Sequence, residues 1–441
     1  MNYFEMGATD AAAAIQSGEM SSEELVQDCL NRIEDLEDNV GAWQHIDPDY
    51  ALQQARDADL YRRTGAALGP VHGIPVGIKD IFDTKDMPTE DGTALHAGRT
   101  PACDATAVAM LREGGAIIMG KTVTTELAVY APGKTRNPHD SSRTPGGSSS
   151  GSAAAVAAKM VPWAIGTQTN GSVIRPASYC GIYGYKPSHG LISRYRVLKL
   201  SRTLDHIGVF GRSAGDVALL AQQMMGFDDR DADMRPRSRP DLIGLVSQEP
   251  PVTPRLAFVK TPAWGQADED VQAGFAELVE LLGDRVEELD LSDLLEHAVG
   301  WHRTIMEADL ARSFQREYQQ GKEQLSDTLQ EMIERGRQYL AVDYNYALAQ
   351  IPGMNSALDE ILLEYDAIIT PAATGEAPAG LHSTGSPVFC TPWSLCGLPS
   401  ISVPILQGSH GLPVGVQMTA ARNDDARLLR TANWLAHCVE A

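Results

Sequence analysis

Two serines and one lysine carry the chemistry this sequence offers. Ser148 lies in the stretch Pro145-Gly146-Gly147-Ser148-Ser149-Ser150-Gly151-Ser152, which runs directly into Ala153-Ala154-Ala155-Val156-Ala157-Ala158. Ser172 follows 24 residues later, in the glycine turn Thr169-Asn170-Gly171-Ser172. Lys79 ends the apolar run Gly73-Ile74-Pro75-Val76-Gly77-Ile78. A serine hydroxyl is a weak nucleophile and must lose its proton as it attacks. Histidine is the usual base, but none of the eleven histidines lies in a recognisable triad motif. Lysine can replace it where burial leaves the amine neutral, as at the end of an apolar strand. The competing reading of Lys79 is a buried structural lysine paired with Asp80 or Asp83. Taken together, the three residues are the parts of a serine hydrolase that works without histidine.

Two other patterns fit known chemistry by their letters alone. Gly115-Ala116-Ile117-Ile118-Met119-Gly120-Lys121-Thr122 matches the phosphate-loop expression. That loop needs a strand before its first glycine, whereas here a helix precedes and the middle is itself an apolar strand. Gly147-Ser148-Ser149-Ser150-Gly151 matches the G-x-S-x-G nucleophile elbow, centred on Ser149. An elbow needs a strand leading in, and residues 135–145 are polar and carry Pro138 and Pro145.

The elements that must position these residues follow from period and punctuation. Ser21 and Glu24 form a capping box, and Leu25, Cys29, Leu30 and Ile33 then keep helical spacing. A second helix is expected over 51–61. A buried strand is expected over 73–81, a helix over 106–113 and a strand over 116–119. An alanine-rich helix over 152–160, a strand over 161–167 and a helix over 215–225 complete a β–α rhythm. Residues 227–255, with five prolines between Pro236 and Pro254, read as a connecting segment. A strand over 255–260, a largely helical block over about 267–363 and a strand over 365–371 follow. The reading is a large α/β core interrupted by a mainly helical lobe.

Composition is that of a water-soluble globular chain. Hydrophobic residues are 43% and charged residues 21% of 441. No apolar run approaches the length of a membrane span, and the start lacks a secretion signal. The six cysteines Cys29, Cys103, Cys180, Cys390, Cys396 and Cys438 form no CxxC pair. They fit a reducing cytoplasm, with no zinc site or disulfide framework. A net charge of −22 makes the surface a poor partner for nucleic acid or anionic membrane.

The chain resembles the amidase signature family over nearly its whole length. The resemblance runs from the helix near Ser21 through the Lys79 strand and the Gly/Ser loop. It continues through Cys180-Gly181-Ile182-Tyr183-Gly184-Tyr185-Lys186-Pro187 and Leu204-Asp205-His206-Ile207-Gly208. It ends with Gly397-Leu398-Pro399-Ser400-Ile401-Ser402-Val403-Pro404 and Gly411-Leu412-Pro413-Val414-Gly415-Val416-Gln417. The resemblance implies a large twisted mixed β-sheet covered by helices. Within that single domain, 1–226 and 364–441 form the core, 227–255 the connection and 256–363 the helical lobe. It also implies Ser172 as nucleophile, Ser148, after a cis peptide bond, as proton relay, and Lys79 as base. Main-chain N–H groups of Thr169, Asn170, Gly171 and Ser172 would form the oxyanion hole.

Three positions depart from the family's common pattern. Gln168 stands where an aspartate is common, and Asn170 where a glycine is common. Arg175 lies three residues after Ser172 instead of two, while Pro176 keeps its place. On these departures, a free-standing cytoplasmic hydrolase is expected, acting through an acyl-enzyme without metal or cofactor. Its expected substrate is a small, mainly apolar or aryl amide or a carbamate, its state a monomer or homodimer, with no nucleic acid partner and no membrane. Tyr130 and Trp393 are candidates for the pocket wall or for the core. The alternative is a subunit of a tRNA-dependent amidotransferase that releases ammonia from glutamine for a partner.

Overall fold

The computed structural model describes residues 2–440. One eleven-stranded sheet runs through the molecule. Its strands are β1 (Trp43–Ile46), β2 (Pro75–Lys79), β3 (Ile117–Thr122), β4 (Trp163–Gln168), β5 (Tyr183–Lys186) and β6 (His206–Gly211). The others are β7 (Leu256–Val259), β8 (Val286–Leu289), β9 (Ala367–Pro371), β10 (Ser400–Gln407) and β11 (Pro413–Thr419). The spatial order is β1-β3-β2-β4-β6-β5-β10-β11-β9-β7-β8. β2 is parallel to both β3 and β4, and β7 to β8 and β9, while the remaining pairs are antiparallel. The sheet is therefore mixed. β2, β3, β4 and β6 are buried along their whole length, as strands covered on both faces must be.

Local signals set the helix boundaries near the core. Ser21 and Glu24 close the capping box in front of the helix Ser22–Val40. The helix Pro48–Arg63 starts with an Asp47 cap and proline in its first turn. The helix Thr106–Glu113 has the bounds its periodicity predicts. Lys121, of the phosphate-loop pattern, is a strand residue of β3. Its ammonium is fully buried, lies 3.1 Å from Asp80 and donates to the carbonyls of Phe82 and Pro88.

The proline-rich stretch after residue 226 is pinned to the core by carboxylates. Asp228 accepts hydrogen bonds from Thr106 and Ser193 at 2.6 and 2.7 Å, and Asp231 takes the Arg194 guanidinium through both oxygens. β7 and β8 extend the sheet before the chain turns helical. The helices Ala298–Ser313, Asp327–Gly336 and Ala341–Ile361 then pack around Ile305, Leu310, Leu329, Ile333 and Leu358, a second hydrophobic cluster beside the main one. Among the described residues, no helix is long and apolar enough to cross a membrane, and the six cysteines are free.

Candidate active site

Lys79 is the last residue of β2, and the parallel pairing of β2 with β4 brings it beside Thr167. Its side chain is wholly buried, and its Nζ bonds the hydroxyls of Ser148 at 2.8 Å and Thr167 at 2.9 Å. The carboxylates that a structural lysine would need are engaged elsewhere. Asp80 pairs with Lys121, and Asp83 with Arg99 and Arg196. Among the described residues, no carboxylate forms an ion pair with Lys79. Burial therefore pushes its pKa well below the usual lysine range, and the charge of Asp205 only partly opposes this.

The Gly/Ser loop approaches Lys79 from the other side. Gly146 turns at a φ of +82°, and a Cβ there would lie 2.8 Å from Cα of Pro176, so glycine lets the loop sit against the helix Ile174–Cys180. The Gly147–Ser148 peptide is cis. Arg175, fully buried, donates to the Gly147 carbonyl at 2.6 Å and to Thr384 at 3.1 Å. Ser149, centre of the elbow pattern, is spent on structure. Its hydroxyl accepts from the Thr167 amide and donates to the Thr167 carbonyl, both at 3.2 Å, stapling the loop to β4.

Residues 169–172 form the turn between β4 and the helix Ile174–Cys180. Gln168 organises it. Its side-chain Oε1 accepts from the Val173 and Ile174 amides at 2.8 and 3.0 Å, and its side-chain NH2 donates to Ser394, whose hydroxyl donates to the Asn170 carbonyl. Thr169 donates to Asp205 at 2.7 Å, and His302 holds the Thr169 carbonyl at 3.0 Å through Nε2, which must carry the proton. Burial keeps His302 neutral, with its pKa lowered to about 4. A side chain at Gly171 would meet Pro387 at 2.8 Å. With Gln168 taking the next two amides, the N–H groups of Thr169, Asn170, Gly171 and Ser172 have no acceptor among the described residues, and neither has the Ser172 hydroxyl.

A cavity of about 450 Å³ opens beside this turn. Asn170, Tyr130, Thr391, Pro387 and Val388 line it, together with Arg303, Glu307, Glu331 and Arg335 of the helical lobe. Tyr130 thus stands in the cavity wall, where it accepts from Asn170 Nδ2 at 3.0 Å. Trp393 does not. It is fully buried in the cluster beneath the lobe, because the short helix Thr391–Leu395 turns it inward while Thr391 faces the cavity. Thr167, Gln168, His302 and Ser394 make contacts in this candidate site that the sequence did not announce, since their partners lie 88, 226, 133 and 224 residues away.

With this geometry in view, three comparisons identify the class. The family model described as Amidase matches residues 24–429, and the chain belongs to that family, the amidase signature enzymes. It is an enzyme acting on the carbon–nitrogen bonds of amides. Among curated proteins it is similar to a glutamyl-tRNA(Gln) amidotransferase subunit from Chloroflexus aggregans, 34% identical over 466 residues, with 96% of this chain and 94% of that one covered. The corresponding subunit from Rhodopirellula baltica is 32% identical, with 97% and 95% covered. Among solved structures it is similar to a peptide amidase in complex with the competitive inhibitor chymostatin, at 28% identity and a TM-score of 0.88, with 100% of this chain and 99% of that one covered.

These relatives correct two expectations. A small apolar or aryl amide or carbamate as substrate, and a chain working alone without nucleic acid, both run against near-full-length likeness to amidotransferase subunits. The physical reason is visible in the turn. Gln168 caps the 169–172 turn, and Arg175 braces the Gly/Ser loop at Gly147, so both are spent on holding the backbone and their departure from the common pattern says nothing about substrate. The cavity wall, moreover, carries four charged side chains and lacks Trp393.

Proposed function

We propose that this chain hydrolyses the side-chain amide of glutamine and supplies the ammonia to a tRNA-dependent amidotransferase of which it is one component. The observation that carries the chemistry is the buried Lys79, bonded to Ser148 and free of any carboxylate pair. Its neutral amine accepts the Ser148 proton while Ser148 takes the proton of Ser172, whose oxygen attacks the amide carbon. The negative charge on the carbonyl oxygen falls to the main-chain N–H groups of residues 169–172. As the tetrahedral intermediate collapses, the carbon–nitrogen bond breaks and the proton returns through Ser148 to the departing ammonia. Water then attacks the glutamyl ester, giving its proton to the same relay, and glutamate leaves with the Ser172 hydroxyl restored.

Charge in the cavity wall also supports glutamine. Its α-ammonium and α-carboxylate need opposite charges at the far end of a pocket. The wall offers Glu307, buried and held by Arg335 at 2.8 Å, together with Arg303 and Glu331. The net charge of −22 repels RNA, so contacts with a tRNA in the cytoplasm belong to a partner subunit. The test is ammonia release. Glutamine should exceed aryl amides and carbamates in kcat/KM, and a second subunit should co-purify from the source cell. A preference for aryl amides together with a chain that purifies alone would overturn the proposal.

A further inference from the structure

The side chain of Asn170 lies in the cavity wall, on the turn that carries the unpaired main-chain N–H groups, and two hydrogen bonds hold it there. Its Oδ1 accepts from Thr391 at 2.7 Å, and its Nδ2 donates to Tyr130 at 3.0 Å. Its main-chain carbonyl is fixed by Ser394, which Gln168 holds in turn. The carboxamide lies in the cavity wall, two residues before Ser172. An amide NH2 has two hydrogens. Tyr130 takes one, and the second has no acceptor among the described residues.

We propose that Asn170 is a catalytic residue: its spare Nδ2–H binds the substrate's carbonyl oxygen as charge builds there, beside the main-chain N–H groups of the same turn. A carboxamide suits this task because it donates without titrating and adds no charge that would draw the Ser172 proton elsewhere. The Thr391 and Ser394 contacts preorganise it, so no reorientation is required as the transition state forms.

This proposal rests on Ser172 as the attacking residue, and its test separates the two. Asn170→Ala and the isosteric Asn170→Asp are compared with wild type by glutamine turnover and by the rate at which a fluorophosphonate labels Ser172. Phosphonylation also builds charge on an oxygen and needs no glutamine activity. The expected result is a fall of roughly 10²–10³ in kcat, as for loss of a side-chain oxyanion donor, with KM nearly unchanged and a matching fall in labelling rate. Tyr130→Phe, which leaves the spare hydrogen in place, should fall less than about tenfold. Asn170 variants within a few-fold of wild type in both assays, a change confined to KM, or a Tyr130→Phe loss equal to that of Asn170→Ala would overturn the proposal. Labelling of a residue other than Ser172 would instead sink the nucleophile assignment.

Discussion

At the scale of single residues, the account turns on the protonation of Lys79. Only a neutral amine accepts a proton, and burial makes that form the favoured one. Arginine keeps its charge in any protein, so Lys79→Arg should lose nearly as much kcat as Lys79→Ala, measured by ammonia release. An arginine variant with substantial activity would point to a purely electrostatic lysine. The pH–rate profile should fall on the acid side as Lys79 takes up a proton in the free enzyme, and this limb should vanish from the residual rate of Lys79→Ala. The two serines of overlapping motifs separate just as cleanly. Ser172→Ala should abolish turnover, whereas Ser149→Ala removes a staple to β4 and should retain activity at a lower melting temperature. Two backbone groups of Thr167 would lose their partner, at a cost on the order of 1–3 kcal/mol for each one left buried and unsatisfied.

At the scale of elements, β4, its turn and the helix Ile174–Cys180 act as one unit, and Gln168 is its hinge pin. Gln168→Ala leaves the Val173 and Ile174 amides without their acceptor. Stability should drop by about 2 kcal/mol or more, and kcat should drop with it because the donors of residues 169–172 lose their alignment. Chemical denaturation and steady-state kinetics on the same variant check both. An unchanged turnover would show that the turn is held by other contacts.

This unit also shows what a sequence can and cannot display. The capping box of Ser21, the bounds of the helix Thr106–Glu113 and the burial of the Lys79 strand follow from neighbours a few residues apart, where periodicity and caps act. β1, β5, β6, β8, β10 and β11 were not expected as strands. β1, β5 and β8 have only four residues each, and the strands on this list gain their place by pairing across the sequence, as β1 does with β3, β6 with β4 and β10 with β5. Side-chain direction was equally hidden. Tyr130 and Trp393 looked alike as aromatic candidates, and only the packing of the short helix Thr391–Leu395 turns one away from the cavity. The function of Gln168 as a cap was hidden by its mismatch to the common aspartate, although either side chain offers an oxygen to the same amides.

At the scale of the whole molecule, three histidines are buried neutral around the site. His302 is lowered to about 4 and His189 to about 3, mainly by burial, and His206 well below its ordinary value for the same reason. Unfolded imidazoles titrate near 6.5. Between that value and the folded ones the unfolded chain binds more protons, so stability is full above about 6.5 and is lost as pH falls toward 4. For His302 alone the integrated loss is on the order of 3 kcal/mol. Urea midpoints should therefore fall between pH 7 and 5, and a midpoint independent of pH would contradict neutral burial.

The central claim, that Ser172 attacks the amide of glutamine with Lys79 as its neutral base, is tested most directly by trapping the acyl-enzyme. Wild-type protein mixed with glutamine, in complex with its partner where one co-purifies, is acid-quenched during turnover and mapped by peptide mass analysis. The account predicts a glutamyl ester on the Ser172 peptide, accompanied by released ammonia and absent from both Ser172→Ala and Lys79→Ala. A glutamyl adduct on Ser149, or ammonia released at the wild-type rate by Ser172→Ala, would contradict it.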